Sequence, residues 1–423
     1  MWHTVRCAIG RLTAVGVLWG LWFPAAPAVA KDLFDINIDV TTPTQGQGAA
    51  SAPTITDLVH ALQTANMQSL VGSYTDTSAA SAVLNIRGVT ALASFDPNST
   101  TLHFSVPSAG VNQTFTGATR NDSEQQLLDF LLKNGGSAAT AILRQMVAQS
   151  PVDPVAGNPA SMQNSMAAAD YAIGTGIGLN GVDAPALGPN GALVMQPNLF
   201  AIGGDVGVVN AGGYQSTVVT LPLRYTIAFA DPRWALTIDM PITYINTQGA
   251  SSYFASLGAA LRIPLLTNWY ITPSVRGGGV GSVDLGAAAV EYSGGLASRY
   301  DIFFHDLMIT IGDGVSLVKT TELSIGNVHV NYGLTNELWN NGVQVESSLP
   351  WTMFGDPTSV QAYLVDTYVS GSKVYINHYD EIGFTVGTRH AMNSQDWNSF
   401  RIGGGIGFGE HYSAYKLGFT YKF

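Results

Sequence analysis

Few residues of this sequence could do chemistry, because only 11% of its 423 residues are charged. The histidines show no H-x-x-x-H spacing for a metal, and no G-x-S-x-G motif is present for a nucleophilic serine. His378, Asp380 and Glu381 form the one mixed cluster of histidine and acidic residues, and on a strand His378 and Asp380 share a face. We interpret them as polar residues of a surface or lumen. The sequence predicts no catalytic residue, no cofactor, no metal site and no enzyme activity.

A second group of charged residues falls at alternate positions of the C-terminal half, between large apolar residues. If the apolar positions face lipid, these side chains face a lumen, where they are the candidate pore-lining residues. The candidates are Asp205, Arg224, Asp239, Arg262, Arg276, Glu291, Arg299, Asp301 and Glu346, with Lys416 and Lys422 on the same face of the last strand. Two interpretations remain open. The charges form a salt-bridged interior that stiffens a narrow barrel, or a constriction that selects small polar or charged solutes.

The elements that would position these residues are long alternating segments. In "VTLPLRYTIAF" every second residue from Val219 to Phe229 is large and apolar or aromatic. Such runs last about ten residues or more, as a tilted strand needs to cross a bilayer. Aromatic residues near their ends match the girdles of membrane barrels. The strands are predicted at 198–210, 215–230, 233–246, 253–266, 269–281, 288–304, 307–318, 340–351, 358–370, 373–389, 398–409 and 412–423.

This pattern predicts a membrane all-β fold, an antiparallel transmembrane β-barrel of about 12 strands over residues 196–423. Residues 319–339 could add a hairpin or form a long external loop. A soluble β-sandwich is the alternative, since it also alternates apolar and polar residues. Long strands, short turns and aromatic strand ends favour the barrel.

The N-terminal half has a different composition. Residues 1–30, with Arg6 and Arg11 before an apolar run that ends in Ala28-Val29-Ala30, predict a secretory signal peptide that contains the single cysteine. Residues 31–53 are predicted to be a flexible leader and 54–160 a small α+β domain. Residues 161–195 are predicted to be a helical, glycine-rich connector. The net charge of −11 argues against nucleic acid as a partner.

The end of the chain carries a resemblance. Large apolar residues alternate at Tyr415, Leu417, Phe419, Tyr421 and Phe423. This resembles the C-terminal signature of Gram-negative outer-membrane β-barrel proteins. The resemblance implies an outer-membrane location, contact with outer-membrane lipids, and recognition of this strand by the barrel-assembly machinery.

Three functions agree with this resemblance. The first is a channel or transport protein for small solutes, with an N-terminal periplasmic or plug-like domain. The second follows from the order of parts, which is similar to that of autotransporters: signal peptide, N-terminal domain, helical linker and twelve-stranded barrel. In such a barrel the helix beginning at Met162 would thread the lumen and the N-terminal domain would be exported or displayed. The third is a structural or adhesive role.

Overall fold

The computed structural model describes residues 31–133, 136–181, 198–304, 307–325, 328–388 and 398–423. The predicted signal peptide and residues 182–195 of the predicted connector lie outside these residues. Among the described helices, none is long and apolar enough to cross a membrane.

The N-terminal domain is a six-stranded antiparallel sheet covered on one face by helices. Its strand order is β2-β1-β3-β4-β5-β6. The strands are β1 Phe34–Thr42, β2 Gly46–Ala52, β3 Ala79–Ile86, β4 Val89–Phe95, β5 Thr101–Val106 and β6 Val111–Thr116, and the helices are α1 Ile55–His60, α2 Thr64–Leu70, α3 Arg120–Lys133 and α4 Ser137–Gln149. A short 3-10 helix covers Pro107–Ala109. Asp96–Ser99 lies in the turn between β4 and β5, and the leucine-rich segment after Asn121 lies in α3.

The interpretation of residues 31–53 as a flexible leader is wrong. They form β1 and β2, and β1 lies inside the sheet, between β2 and β3. Alternate residues of β1, Phe34, Ile36, Ile38 and Val40, are fully buried in the core of the domain. The polar residues between them face outward, so half of this segment is core despite its polar composition.

The barrel is a closed ring of twelve antiparallel strands. In chain order its strands are β7 Leu199–Ala211, β8 Tyr214–Ala228, β9 Ala235–Thr247, β10 Ala250–Pro264, β11 Trp269–Ser282, β12 Ala287–Phe304, β13 Leu307–Thr321, β16 Thr335–Met353, β17 Asp356–Gly371, β18 His378–Thr388, β19 Ser399–Gly409 and β20 Tyr412–Lys422. Each pairs with its neighbour in sequence, and β20 pairs with β7 to close the ring. Phe200 and Phe423 exchange two backbone hydrogen bonds of 2.9 Å at this seam.

The alternation along each strand sorts side chains between the outside and the inside of the ring. Tyr415, Leu417 and Phe419 are 55%, 67% and 44% exposed on the outer face. Ala414 and Thr420, which flank these residues in sequence, are buried on the inner face. An outer surface of this kind suits hydrocarbon. The predicted fold class, a membrane β-barrel after a small α+β domain, is confirmed.

The main difference in strand bounds concerns residues 319–339. Part of this segment forms a separate two-stranded hairpin, β14 Leu323–Ile325 with β15 Val328–Val330, outside the barrel sheet. The rest lengthens the neighbouring strands, since β13 runs to Thr321 and β16 begins at Thr335. Asn336 and Leu338 are buried and continue the inward face of β16, so the alternation extends further than the sequence had suggested.

The N-terminal domain covers one end of the barrel. We call the end where β7 begins and β20 ends the seam end, and the opposite end the cap end. The β9–β10 and β11–β12 turns lie at the cap end, and Ala250 and Leu285 from these turns join the hydrophobic core of the N-terminal domain. The backbone N–H of Ile55 donates to the carbonyl of Asp284 at 3.0 Å. Arg144 on α4 donates to the carbonyls of residues 332 and 333 in the β13–β16 connection. The N-terminal domain and the cap end of the barrel therefore share one packed interface.

Glu124 on α3 gives this domain a dependence on pH. It is 1% exposed, and its carboxylate oxygens have no hydrogen-bond partner in the part of the chain that the structure describes. Burial raises the pKa of Glu124 from 4.5 to about 8, because loss of hydration outweighs the attraction of the nearby Arg120 guanidinium. A carboxyl whose folded-state pKa is raised holds its proton when folded and releases it when unfolded. Its contribution to stability is therefore present below pH 4.5 and is lost as the pH rises through about 8.

We expect α3 to lose protection from hydrogen exchange between pH 5 and 8, after correction for intrinsic exchange rates. The loss corresponds to at most about 1.4 kcal/mol per pH unit. Glu124→Gln is expected to flatten this dependence, since an amide does not ionise. Asp39→Asn, on the exposed face of β1, is the control and is expected to keep the wild-type dependence. Equal pH dependence in the wild type and the Glu124→Gln variant would contradict this assignment.

Candidate functional site

The barrel lumen holds a helix, α5, which spans Met162–Thr175. It packs against the inner face of β10 to β13 and β16. Close approach depends on small residues: a Cβ added at Gly174 would lie 2.4 Å from the Cβ of Ala297 on β12. The helix ends at Gly176, whose φ of +76° is the left-handed conformation of a helix C-cap. A helix of large apolar residues would not fit in this space.

An ion-pair cluster joins α5 to the barrel wall. The Arg276 guanidinium donates to Asp170 Oδ1 of α5 at 2.8 Å and to Asp239 Oδ1 of β9 at 2.6 Å. It also donates to Ser256 Oγ at 3.1 Å. All three charged side chains are buried. One cation therefore neutralises two carboxylates from different elements, and fixes the rotation of α5 in the lumen.

A second set of inward charges lies towards the seam end. The Arg299 Nε donates to both carboxylate oxygens of Asp301 at 3.0 Å, and the Thr310 hydroxyl donates to the same carboxylate at 2.7 Å. Arg262 donates to the carbonyls of Pro232 and Arg233 in the β8–β9 connection. These contacts hold the turns of the seam end against the wall.

The chain that leaves α5 is held by the opposite wall. Asn180 donates through its amide to the Asp205 carboxylate on β7, and its carbonyl accepts from Arg224 at 2.9 Å. Beside them, the Lys416 ammonium of β20 donates to the Glu381 carboxylate of β18, which also accepts from the Tyr363 hydroxyl at 3.0 Å. These residues belong to β7, β8, β17, β18 and β20, which are the wall that α5 leaves largely uncovered.

Two further predicted residues lie apart from these groups. Glu346 accepts from the Gln361 amide at 3.1 Å, and its carboxylate is 3.9 Å from the Arg401 guanidinium. Glu291 is fully buried near the cap end of β12, and within the described ranges its two carboxylate oxygens have no hydrogen-bond partner. Near it, Arg87 from the β3–β4 turn pairs with the buried Asp153 at 3.1 Å.

All nine predicted lumen residues therefore lie on the inward face of their strands, as do Lys416 and Lys422. Eight of the nine take part in hydrogen bonds or ion pairs and Glu291 is the exception within the described ranges, where no ring of unpaired charge forms. Sequence reasoning missed Asp170, which pairs with Arg276, and Asp153, which pairs with Arg87. Asp170 is the single acidic residue of the alanine-rich helix α5. That isolated charge is the feature of the sequence that indicates a buried ion-pair partner.

A cavity remains beside α5, with a volume of about 220 Å³. Ser165, Ala168 and Ala169 of the helix face it, and Ala168 is exposed to it. Charges of both signs line the opposite wall, including Asp205, Glu381 and Lys416. The arrangement can hold water or a small polar solute between helix and wall.

The predicted histidine cluster is split between the two faces of β18. Glu381 points inward to Lys416, whereas His378 and Asp380 lie on the outer face. His378 Nε2 is 2.6 Å from the Asp366 carboxylate of β17. Ligand atoms of Asp366, His378 and Asp380 lie within 4.8 Å of one another, so these residues could hold a metal ion. Exposed acidic groups of this kind are common without one.

Comparison with solved structures finds proteins that are similar to part of this chain. The chain is similar to the β domain of the Bordetella autotransporter BrkA, at 13% identity and a TM-score of 0.43, over 53% of this chain and 99% of that one. It is also similar to the translocator domain of the autotransporter NalP from Neisseria meningitidis, at 14% identity and a TM-score of 0.39, over 54% and 89%. An outer-membrane channel from Pseudomonas putida F1 matches at 9% identity and a TM-score of 0.37, over 57% and 98%.

No protein-family model and no curated protein matches the sequence. At these identities and TM-scores, the similarity to solved structures concerns the fold and gives no information on function. The closed twelve-stranded ring of the structure itself confirms the expected resemblance to outer-membrane β-barrels at the level of the fold.

Replacement of Arg276 tests the ion-pair cluster that holds α5. Arg276→Gln leaves Asp170 and Asp239 buried without their cation, which is expected to cost about 3–5 kcal/mol. The readout is the temperature at which the folded band converts to the unfolded band in an electrophoretic heat-modifiability assay. Arg233→Gln removes a half-buried arginine that pairs with Asp231 in the β8–β9 connection, and it should melt like the wild type. Equal melting of the two variants would show that the cluster does not hold the helix.

Proposed function

We propose that this protein is an outer-membrane β-barrel that displays its N-terminal domain on the cell surface, with α5 as the tether through the lumen. One observation carries the proposal: the N-terminal domain packs on the cap end, opposite the end where β7 begins and β20 ends. The second interpretation of the sequence, an autotransporter-like barrel, therefore has better support than a channel with a periplasmic domain.

The orientation follows from how such a barrel enters the membrane. A chain exported through the predicted signal peptide reaches the outer membrane from the periplasm. An even number of strands leaves the beginning of β7 and the end of β20 on one side. The exported chain arrives from that side, so we place the end of β20, which the assembly machinery is expected to recognise through the Tyr415 to Phe423 pattern, and with it the seam end, at the periplasmic side. The cap end, with the N-terminal domain, then faces outward.

The contents of the lumen support the same function. A connection between a surface domain and a periplasmic strand end must pass through the barrel, and α5 occupies that path. The ion pair between Asp170 and Arg276 holds α5 to the barrel wall. The contacts of Asn180 hold the chain that follows α5 at a second position along the barrel. In this proposal α5 tethers the N-terminal domain through the lumen, and the domain also packs on the cap end. Outer-membrane lipids and the assembly machinery are the partners that this function requires.

Accessibility of single cysteines on intact cells tests the orientation. Ser81→Cys lies on the exposed face of β3 and is expected to react with a membrane-impermeant maleimide on intact cells. Thr267→Cys lies in the exposed β10–β11 turn at the seam end and is expected to react only after the outer membrane is permeabilised. Both variants carry Cys7→Ser, so that the native cysteine cannot react.

The opposite pattern would place the N-terminal domain in the periplasm and contradict the proposal. Labelling of both positions on intact cells would indicate a leaky membrane, which a periplasmic marker enzyme detects. The variants should keep the heat-modifiability of the wild type, which establishes that each barrel is folded.

A second function has support from the cavity beside α5. Its lining contains Asp205, Glu381 and Lys416 together with small helix residues, which suits passage of small polar or charged solutes. In this function solutes pass through the lumen beside α5. The N-terminal domain must then leave a side opening at the cap end or move away from it.

Conductance in a planar bilayer tests this second function. The full-length protein is expected to give small discrete current steps, and Ala168→Trp is expected to reduce them, because the indole would fill the cavity. Ala255→Trp adds the same ring on the outer face of β10 and should leave the current unchanged. Absence of current steps from the wild-type protein would rule out solute passage as its resting function.

A further inference from the structure

The chain that follows α5 crosses the lumen from one wall to the other. Near its start the Ile177 side chain contacts β13, since a Cβ added at Gly312 would lie 2.8 Å from Ile177 Cδ1. Three residues later Asn180 donates through its amide to the Asp205 carboxylate of β7. β13 and β7 lie six strands apart in the ring of twelve, on opposite sides of the lumen. We call residues 176–181 the strap.

The direction of α5 places the strap towards the seam end. Met162, at the start of the helix, packs in one cluster with Ala289 near the cap end of β12. Gly174, near the end of the helix, faces Ala297 further along the same strand. The helix therefore runs from the cap end towards the seam end, and the strap lies on its seam side.

The strap bounds the cavity beside α5. Residues 177–180 line this cavity, and Pro159 and Ala160, which precede α5, line it on the side of the cap end. Inward residues nearer the seam end, such as Thr226 and Arg401, are not among the described residues that line it. The strap therefore separates the cavity from the part of the lumen next to the seam end.

The backbone of the strap depends on glycine at two positions. Gly176 has a φ of +76° and Gly178 a φ of +105°, a conformation that residues with a side chain rarely adopt. A Cβ added at Gly178 would meet no atom within 4 Å apart from its chain neighbours. These two glycines are therefore positions at which the strap can turn relative to α5.

Few contacts hold the strap against the wall of β7, β8 and β20. Besides its bond to Asp205, Asn180 accepts from the Arg224 guanidinium at 2.9 Å through its backbone carbonyl, and from the Thr420 hydroxyl at 3.4 Å through its side chain. Asp205 Oδ1 is buried and has no hydrogen-bond partner among the described residues. A half-satisfied carboxylate costs free energy. This position of the strap is only partly stabilised, whereas the buried ion pairs of Arg276 fix α5 to the wall.

We propose that the strap is a gate of the lumen. When the amide of Asn180 leaves Asp205, the strap turns about its two glycines. The Arg276 ion pairs keep α5 in place, so the cavity opens towards the seam end without loss of the helix. The gate deepens the second function proposed above and rests on it, because a solute in the cavity must pass the strap to reach the seam end.

The rate at which a cysteine in the cavity reacts tests the gate. Ala168→Cys, in a Cys7→Ser background, places a thiol where α5 is exposed to the cavity. The probe is a small positively charged methanethiosulfonate added to the purified full-length protein in detergent, and mass spectrometry gives the modified fraction over time. Adding Asn180→Asp is expected to raise the rate about tenfold or more, because two carboxylates then replace a hydrogen bond. Adding Gly178→Ala is expected to raise it independently, since alanine disfavours the left-handed backbone of the closed strap.

Each of these variants has a matched control. Asn340→Asp makes the same change to an amide that lines the same cavity and is bound to Thr367 at 2.9 Å, so it controls for a negative charge that attracts the probe. Gly355→Ala adds a methyl group at a φ of +95° in the β16–β17 turn, where a Cβ also meets no atom within 4 Å. Both controls are expected to react at the rate of the background protein. Heat-modifiability reports the folding of every variant.

The outcomes separate the gate from the functions proposed above. Equal labelling rates in the strap variants and their controls would overturn the gate and leave the displayed-domain function intact. In a planar bilayer, Asn180→Asp is expected to raise the fraction of time that the protein conducts, and an unchanged fraction would also overturn the gate. Faster labelling of the strap variants, in a protein that never conducts, would support the strap as the barrier to the cavity and refute solute passage.

Discussion

Closure of the sheet between β20 and β7 is the constraint on which the rest of this structure depends. In hydrocarbon, each backbone N–H and C=O must find a partner within the protein, because an open strand edge would leave a row of them without one. Twelve strands close into a ring whose interior is wider than the side chains of the wall can fill. The interior must then hold water, chain or both. This protein places α5 in that space and keeps a smaller cavity beside it.

The filling of the lumen explains the paired charges. Side chains from the wall and from α5 meet in a confined space where hydration is incomplete, so each charge needs a partner. Arg276 joins Asp170 and Asp239 for this reason, and Lys416 joins Glu381. The salt-bridged interior that the sequence left open is the arrangement that most of the described charges adopt. The cavity beside α5, lined by charges of both signs, lies on the wall that the helix leaves uncovered.

The N-terminal domain and the segment that leads into α5 are linked at the cap end of the barrel. The core of the N-terminal domain continues into the turns of the cap end through Ala250 and Leu285. Arg87 reaches from that domain to Asp153 in the segment that leads into α5. Movement of the domain would therefore disturb the barrel mouth and the helix together. This coupling agrees with the proposal that α5 tethers a displayed domain in one orientation.

The sequence by itself determined the barrel, because alternation with a period of two is a local property that any single strand carries. It also determined which charges face inward, since one face of each strand must be apolar in lipid. It did not identify β1 as a strand inside a sheet, because its short alternation is visible only with the neighbours that bury Phe34 and Ile38. Tertiary structure alone decided which charges pair, which end the N-terminal domain covers, and how residues 176–181 cross the lumen from β13 to β7. These features join residues far apart in the chain, so they depend on strand register and on the closure of the ring.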